Sequence, residues 1–183
     1  MTCPEEIIQA QNNADCLYTA DQLDSAIQTM ALAINDQLSN QNPLCLCVLN
    51  GSIVFTGKLL PLLTFPLHLD CANATRYGSK TYGNEIEWLY RPVTSVVNRT
   101  ILIIDDILDQ GITLAAVKED CMRRGAKKVY SAVLVDKMTG QEKPIQADFI
   151  GVTAENRYLF GYGMDYKGYL RNAPGLYACN QVD

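Results

Sequence analysis

The sequence has one histidine, His68, and no two of its seven cysteines stand in a Cys-x-x-Cys pair. No zinc constellation of the usual spacings can be built from that set. With one histidine, a Ser-His-Asp triad is not the chemistry to expect. The odd cysteine number argues against a disulfide framework, and the thiols read as small core hydrophobes in a reducing compartment. No apolar run approaches the length of a membrane span, and the first residues are polar and acidic, unlike a secretory signal. There is no Walker phosphate loop, no internal repeat and no low-complexity segment. Gly161-Tyr162-Gly163 lacks the third glycine and the strand-helix order of a dinucleotide fingerprint. Basic residues are outnumbered 15 to 20, for a net charge of −5, which suits neither nucleic acid nor an anionic membrane surface as partner. These absences describe a cytoplasmic protein that works on something small.

What is present fits one domain over residues 1–183. Apolar content of 48% with 19% charged residues is ordinary for a globular chain of this length. The chain is organised around residues 101–114, Ile-Leu-Ile-Ile-Asp-Asp-Ile-Leu-Asp-Gln-Gly-Ile-Thr-Leu. Four consecutive β-prone apolar residues read as a strand buried on both faces, as in the centre of a parallel sheet. Asp105 and Asp106 stand where that strand is expected to end. Asp109, Gly111, Thr113 and a helix pattern follow. That layout is a small-molecule site at the carboxyl edge of an open α/β sheet, with a helix start whose unpaired amides can receive a phosphate. An acidic protein that binds a polyphosphate needs such amides, or metal ions.

The rest of the chain is consistent with this class. Residues 1–18 show no clear element. Residues 19–39 form a helix with Leu23, Ile27, Ala31, Ile34 and Leu38 on one face, opened by a Thr19/Gln22 capping box. After Asn42-Pro43, residues 44–49 read as a strand that puts Cys45 and Cys47 on one side. Asn50-Gly51-Ser52 turns it into a short helix ending near Leu60. Strands are expected at 67–74 and 85–90, around a polar, glycine-containing loop. A helix with the face Leu114, Val117, Cys121 ends at Arg123-Arg124-Gly125. Residues 128–135 form a strand with Asp136-Lys137 at its carboxyl end. A loop at 141–146, short strands at 149–152 and 158–162, and a cap and tail over 163–183 complete the chain.

The 101–113 stretch resembles the signature of the type I phosphoribosyltransferases that binds 5-phosphoribosyl 1-pyrophosphate (PRPP). That signature is a hydrophobic strand, two acids, two apolar residues, Asp, Thr or Ser, Gly, any residue and Thr. Gln110 stands here where Thr or Ser is usual. The resemblance implies a twisted, mainly parallel sheet flanked by helices, a flexible lid, and a small hood built from about 145–183 with the N-terminal segment. It implies that Asp105 and Asp106 hold the ribose hydroxyls directly and through Mg²⁺, a hard cation suited to oxygen ligands. The 5′-phosphate would sit on Asp109, Gln110, Gly111, Ile112 and Thr113. Asp109 would be the general base facing purine N7, a carboxylate whose burial would raise its pKa.

In order and spacing, four segments of the chain resemble the hypoxanthine-guanine branch: Leu-Asn-Gly-Ser at 49–52, Val-Asp-Lys ending at Lys137, Tyr-Leu-Phe-Gly-Tyr-Gly-Met-Asp-Tyr at 158–166, and Tyr-Leu-Arg ending at Arg171. The branch implies a non-proline cis peptide at Leu49-Asn50, with Asn50, Gly51 and Ser52 binding pyrophosphate. Asn50 replaces the frequent lysine. Arg76, Tyr77, Gly78 and Ser79 would open the lid that keeps water from a reactive sugar cation. Lys137 would donate to a purine 6-oxo group, which discriminates against the 6-amino group of adenine. Tyr158 would stack on the base and Leu159 would offer backbone groups to its edge. Asp165 would stand beside the purine and hold a second Mg²⁺ with pyrophosphate, while Arg171 would pair with pyrophosphate. The implied reaction joins hypoxanthine or guanine to PRPP, giving IMP or GMP and pyrophosphate, in a homo-oligomer (dimer or tetramer). The alternatives are a xanthine-preferring relative and a PRPP-sensing regulator that binds nucleic acid.

Overall fold

The computed structural model describes residues 4–76 and 86–180. Its elements in chain order are α1 (Glu5–Asn12), β1 (Asp15–Tyr18), α2 (Ala20–Leu38), β2 (Leu44–Val48), α3 (Ile53–Leu59), β3 (His68–Arg76), β4 (Ile86–Tyr90), β5 (Thr100–Leu108), α4 (Ile112–Arg123), β6 (Lys128–Met138), β7 (Phe149–Glu155), β8 (Leu159–Phe160) and β9 (Leu176–Ala178). A single 3₁₀ turn, Leu60–Leu62, extends α3 past Pro61.

The main sheet has the order β4-β3-β2-β5-β6-β7. Every pairing is parallel except that of β3 with β4. β5 lies inside this sheet because Ile101, Leu102, Ile103 and Ile104 are fully buried and have no solvent side to offer. Its alternate residues serve two cores. Leu102 and Ile104 join the α2 and α3 side, with Leu23, Ile27, Phe55 and Leu59. Ile101 and Ile103 join the α4 side, with Leu114, Val117 and Cys121. Each fully buried aliphatic side chain contributes on the order of 2 kcal/mol. The same alternation puts Cys45 on the α2 side, where burial pushes its thiol up to about 12, while Leu44, Leu46 and Val48 face α4. All six described cysteines are free.

Local signals place the helices as expected. The Thr19 N–H donates to Gln22 Oε1 at 2.8 Å and the Gln22 N–H to Thr19 Oγ1 at 3.4 Å, a complete capping box. Among the described residues no helix is long and apolar enough to cross a membrane.

Two expectations need correction. Residues 1–18 contain an element of each kind, α1 and β1. β1 pairs antiparallel with β9, which pairs in turn with β8, making a three-stranded hood sheet. Its partner lies 160 residues along the chain, so its local pattern is weak. The hood also begins later than residue 145, since β7 pairs with β6 in the main sheet. Leu159, Tyr162, Met164, Leu176 and Ala178 from the hood share the α2-side core. Arg157 pins the hood sheet: Nη2 donates to Asp15 Oδ2 at 2.7 Å and Nε to the Cys179 carbonyl at 3.1 Å.

Asp120, buried on α4, ties the far end of the sheet. Its Oδ1 accepts from Arg123 at 2.7 Å and from Arg91 at 2.8 Å. Burial pulls this carboxyl up, but the hydrogen bonds from Arg123 and Arg91 outweigh it and hold the group below the usual carboxylate range. A depressed folded pKa adds stability above the unfolded value, and that stability is lost as pH falls through the folded value. Asp120→Ala is therefore expected to cost about 2 kcal/mol in urea unfolding at pH 7, with the deficit shrinking below about pH 4. A deficit that does not change with pH would contradict the ion-pair account.

Candidate active site

β5 runs past β2. Their last pairing is Cys47 with Ile104, whereas β5 goes on to Leu108 against β6 alone. The acids therefore lie within the strand and not at its end, where the sequence had put them. Consecutive side chains of a regular strand point to opposite faces, yet Asp105 and Asp106 line one cavity. The alternation slips at this pair. Before it, the even residues Leu102 and Ile104 face the α2 side; after it, odd Ile107 packs there and even Leu108 joins the α4 side. The N–H groups of Asp106 and Ile107 are each met by the carboxylate of the preceding residue, at 3.1 and 3.0 Å. Burial, and for Asp105 also the charge of Asp106, pushes both carboxyls above the usual range.

Where β2 stops, the chain turns through a cis peptide at Leu49-Asn50. Gly51 then lies against Asp106, so close that a Cβ on Gly51 would sit 1.8 Å from Asp106 Oδ2. On the other side of this loop stands Gly163 of the hood, at φ 109°, where a Cβ would meet the Gly51 carbonyl oxygen at 2.0 Å. Two facing glycines let loop and hood close on each other.

Among the described residues, two of the cavities along this edge are lined by the acids of β5. The first, about 220 Å³, is lined by Val48, Leu49, Ala74 and residues 105–114. It contains the whole loop from Asp109 to the start of α4, where the N-cap is Gly111, with no side chain to fill the cap. The second, about 260 Å³, is lined by Asp106, Ile107, Asp109, Lys137, Tyr158, Leu159, Met164 and Asp165. Asp106, Ile107 and Asp109 belong to both. Across the second cavity Lys137 Nζ stands 3.4 Å from Asp109 Oδ1. Tyr158 is 37% exposed, and the Tyr166 ring stands nearly perpendicular to it at 5.3 Å. Arg171 donates to the Gly163 carbonyl at 2.8 Å and reaches Asp165 Oδ1 at 2.6 Å.

A phosphoribosyl transferase domain model matches residues 14–167. The chain belongs to the phosphoribosyltransferase family. It is 31% identical over 159 residues to the hypoxanthine-guanine phosphoribosyltransferase of Bacillus subtilis, covering 86% of this chain and 88% of that protein. The hypoxanthine-guanine-xanthine phosphoribosyltransferase of Tritrichomonas foetus is also 31% identical, over 86% of this chain and 87% of its own length. Among solved structures, a Staphylococcus aureus hypoxanthine phosphoribosyltransferase superposes with a TM-score of 0.87 at 24% identity, over 93% of this chain and 94% of that one. A hypoxanthine phosphoribosyltransferase from Trypanosoma cruzi gives 0.84 at 25% identity, covering 91% of each chain.

In this phosphoribosyltransferase the expected site residues sort unevenly. Residues 105–113, Leu49, Gly51, Lys137, Tyr158, Leu159, Asp165 and Arg171 gather around the two cavities or close against them. Ser52 does not. It is fully buried, and its hydroxyl and N–H both donate to the Val48 carbonyl, at 2.5 and 3.3 Å. Its hydroxyl also sits 3.1 Å from Cys47 Sγ. Ser52 closes the turn, with its hydroxyl and its N–H both spent on the strand it follows. Asp109 is 42% exposed, beside Lys137. Asp165 has both oxygens engaged, one by Arg171 and one by the Gly168 N–H at 2.7 Å. Tyr77, Gly78 and Ser79 of the expected lid lie outside the described residues, and Arg76 ends β3. Sequence reasoning missed Ile107 and Met164, which line the second cavity. The signal for Ile107 was its place between the acids, hidden by treating the strand as finished.

The donor set suits a magnesium ion in one respect. Asp105 is buried and Asp106 half-buried beside it; their charges repel, and a cation would relieve both. Among the described residues no three His, Cys, Asp or Glu side chains converge. An ion there must complete its shell with substrate and water oxygens, which is the usual Mg²⁺ arrangement.

Gly51→Ala is expected to lose about 1–3 kcal/mol of stability, because Asp106 or the loop must move. Gly57→Ala, on the exposed face of α3 with open space around it, is expected to gain up to about 1 kcal/mol. Denaturant midpoints check both, and equal effects would contradict the close approach at Gly51.

Proposed function

We propose that this protein is a Mg²⁺-dependent purine salvage enzyme, transferring the 5-phosphoribosyl group of PRPP to N9 of hypoxanthine or guanine to give IMP or GMP and pyrophosphate. The observation that carries this reading is the pair of adjoining cavities with Asp106, Ile107 and Asp109 between them. One is edged by backbone at a helix start, suited to a phosphate. The other is edged by an aromatic face, an ammonium and a carboxylate, suited to a 6-oxopurine. The curated relatives named for this chemistry support it.

In this reading the 5′-phosphate rests on the amides of residues 109–113, and the ribose hydroxyls on Asp105 and Asp106. Backbone donors let a protein of net charge −5 hold a dianion without a cluster of lysines. Asn50 and Gly51, with Arg171, receive pyrophosphate. Asp105 and Asp106 would hold Mg²⁺ with substrate and water oxygens, and the ion would supply positive charge to offset that of the substrate. The base stacks on Tyr158, its edge on the backbone of Leu159. Its 6-oxo oxygen accepts from Lys137, which must first leave Asp109. Released from that pair, Asp109 accepts the N7 proton while N9 attacks C1 of the ribose. The bond from C1 to the pyrophosphate oxygen breaks, and the electron pair leaves with pyrophosphate. The transition state has oxocarbenium character, and the neighbouring carboxylates stabilise its charge.

A cytoplasmic location and a homo-oligomer, dimer or tetramer, belong to the same reading. Exposed Leu89 and Val93 are apolar surface that an interface between copies would cover.

Incubating the protein with PRPP and Mg²⁺ and each of hypoxanthine, guanine, xanthine and adenine tests the proposal. Nucleotide is expected from hypoxanthine and guanine and not from adenine; no turnover with any 6-oxopurine would sink it. Asp109→Ala is expected to lower kcat about a hundredfold or more, with the KM for PRPP within about threefold. Equal losses in both would remove Asp109 from proton transfer.

A further inference from the structure

We propose that Lys143 is a positioning residue whose ammonium clamps the carboxyl ends of β5 and β6, setting the distance between Asp109 and Lys137. The proposal rests on the roles given above to those two residues. Nothing in the sequence pattern marks Lys143, which falls in what reads as a plain loop. In the fold its side chain is only 13% exposed and turns back under the sheet edge. Nζ donates to the Leu108 carbonyl at 2.7 Å, to the Lys137 carbonyl at 2.7 Å and to Asp136 Oδ1 at 2.5 Å. A lysine ammonium has three N–H donors and no acceptor, so these three oxygens saturate it.

The acceptors sit at the fork of the sheet. The parallel register of β5 with β6 ends at Leu108 opposite Asp136, and beyond that point no ladder joins the two, although β6 stays paired with β7 to Met138. Leu108 is the residue before Asp109, and the third acceptor is the carbonyl of Lys137 itself. One ammonium thus takes over from the β5–β6 ladder directly behind the proton acceptor and the purine donor. Removing it would leave two carbonyls and a carboxylate facing one another with no donor between them, and those oxygens repel. The loop that carries Lys143 is held in place next door. Ile145 packs into the α4-side core, and with Pro144 it stands so near Gly111 that a Cβ there would meet them at 3.2 and 3.4 Å. The same short segment therefore supports the phosphate loop and closes the strand fork.

Lys143→Met keeps the stem and removes the donors. Lys143→Arg keeps the charge, but a planar guanidinium fork does not converge on three acceptors around one nitrogen. Amide hydrogen exchange, followed by NMR, reads the clamp without needing turnover. In the Met variant, exchange at residues 108–110 and 137–139 is expected to quicken about tenfold or more, with α2 unchanged. Steady-state kinetics are expected to show the KM for hypoxanthine or guanine raised about tenfold and the KM for PRPP within about threefold, the Arg variant lying between Met and wild type. Unchanged exchange in both segments, or a lower unfolding midpoint with an unchanged purine KM, would overturn the proposal. If the wild-type protein made no nucleotide, the salvage reading would fail, and the exchange result would still decide the clamp.

Discussion

The site exists because β5 outlasts β2. Once β2 has stopped, the last residues of β5 have a neighbour on one side only, and the space on the other side becomes the first cavity. The chain leaves β2 through the Leu49-Asn50 cis peptide and drops Gly51 onto Asp106. The hood then drops Gly163 onto Gly51. Each of these contacts depends on the absence of a side chain at its glycine and on the slip in alternation that turns Asp105 and Asp106 to the same side. A regular strand at 105–108 would bury one acid against a helix and leave the other alone.

The charges around the cleft are already matched. Lys137 faces Asp109, Arg171 faces Asp165, and Lys143 faces Asp136. These pairs ring the Asp105 and Asp106 carboxylates, for which no cationic hydrogen-bond partner is found among the described residues; Arg171 acts on Asp106 through its field. In the proposed reaction Lys137 and Arg171 must change partner, from an acid of the protein to an oxygen of the substrate. Lys143 need not move, because all three of its donors are spent on the scaffold. Exchange of partners costs less than the exposure of new charge, since each ammonium or guanidinium stays paired throughout. That suits a cleft in an acidic protein, where selectivity comes from which oxygen a cation meets.

Much of the scaffold could be read from local pattern. The unbroken run 101–104 could only be an inner strand, and the Thr19 capping box opened α2 where it was expected. What escaped depended on distant chain. β1 has little pattern of its own and is defined by β9. Lys143 looks like any surface lysine until β5 and β6 end beside it. Ser52 was expected to offer its backbone amide to pyrophosphate, but that N–H points back to the carbonyl of Val48 at 3.3 Å. The proton-acceptor role of Asp109 was read from the motif alone, and its half-exposed place beside Lys137 is set by the separate strand that carries the lysine.

The most direct test of this account is a structure of the protein with GMP bound. The phosphate should lie on the backbone N–H groups of residues 109–113, the base against Tyr158, and the 6-oxo oxygen about 3 Å from Lys137 Nζ, with Lys137 no longer on Asp109. A nucleotide phosphate bound elsewhere, or a base on Tyr158 with Lys137 still paired to Asp109, would contradict it.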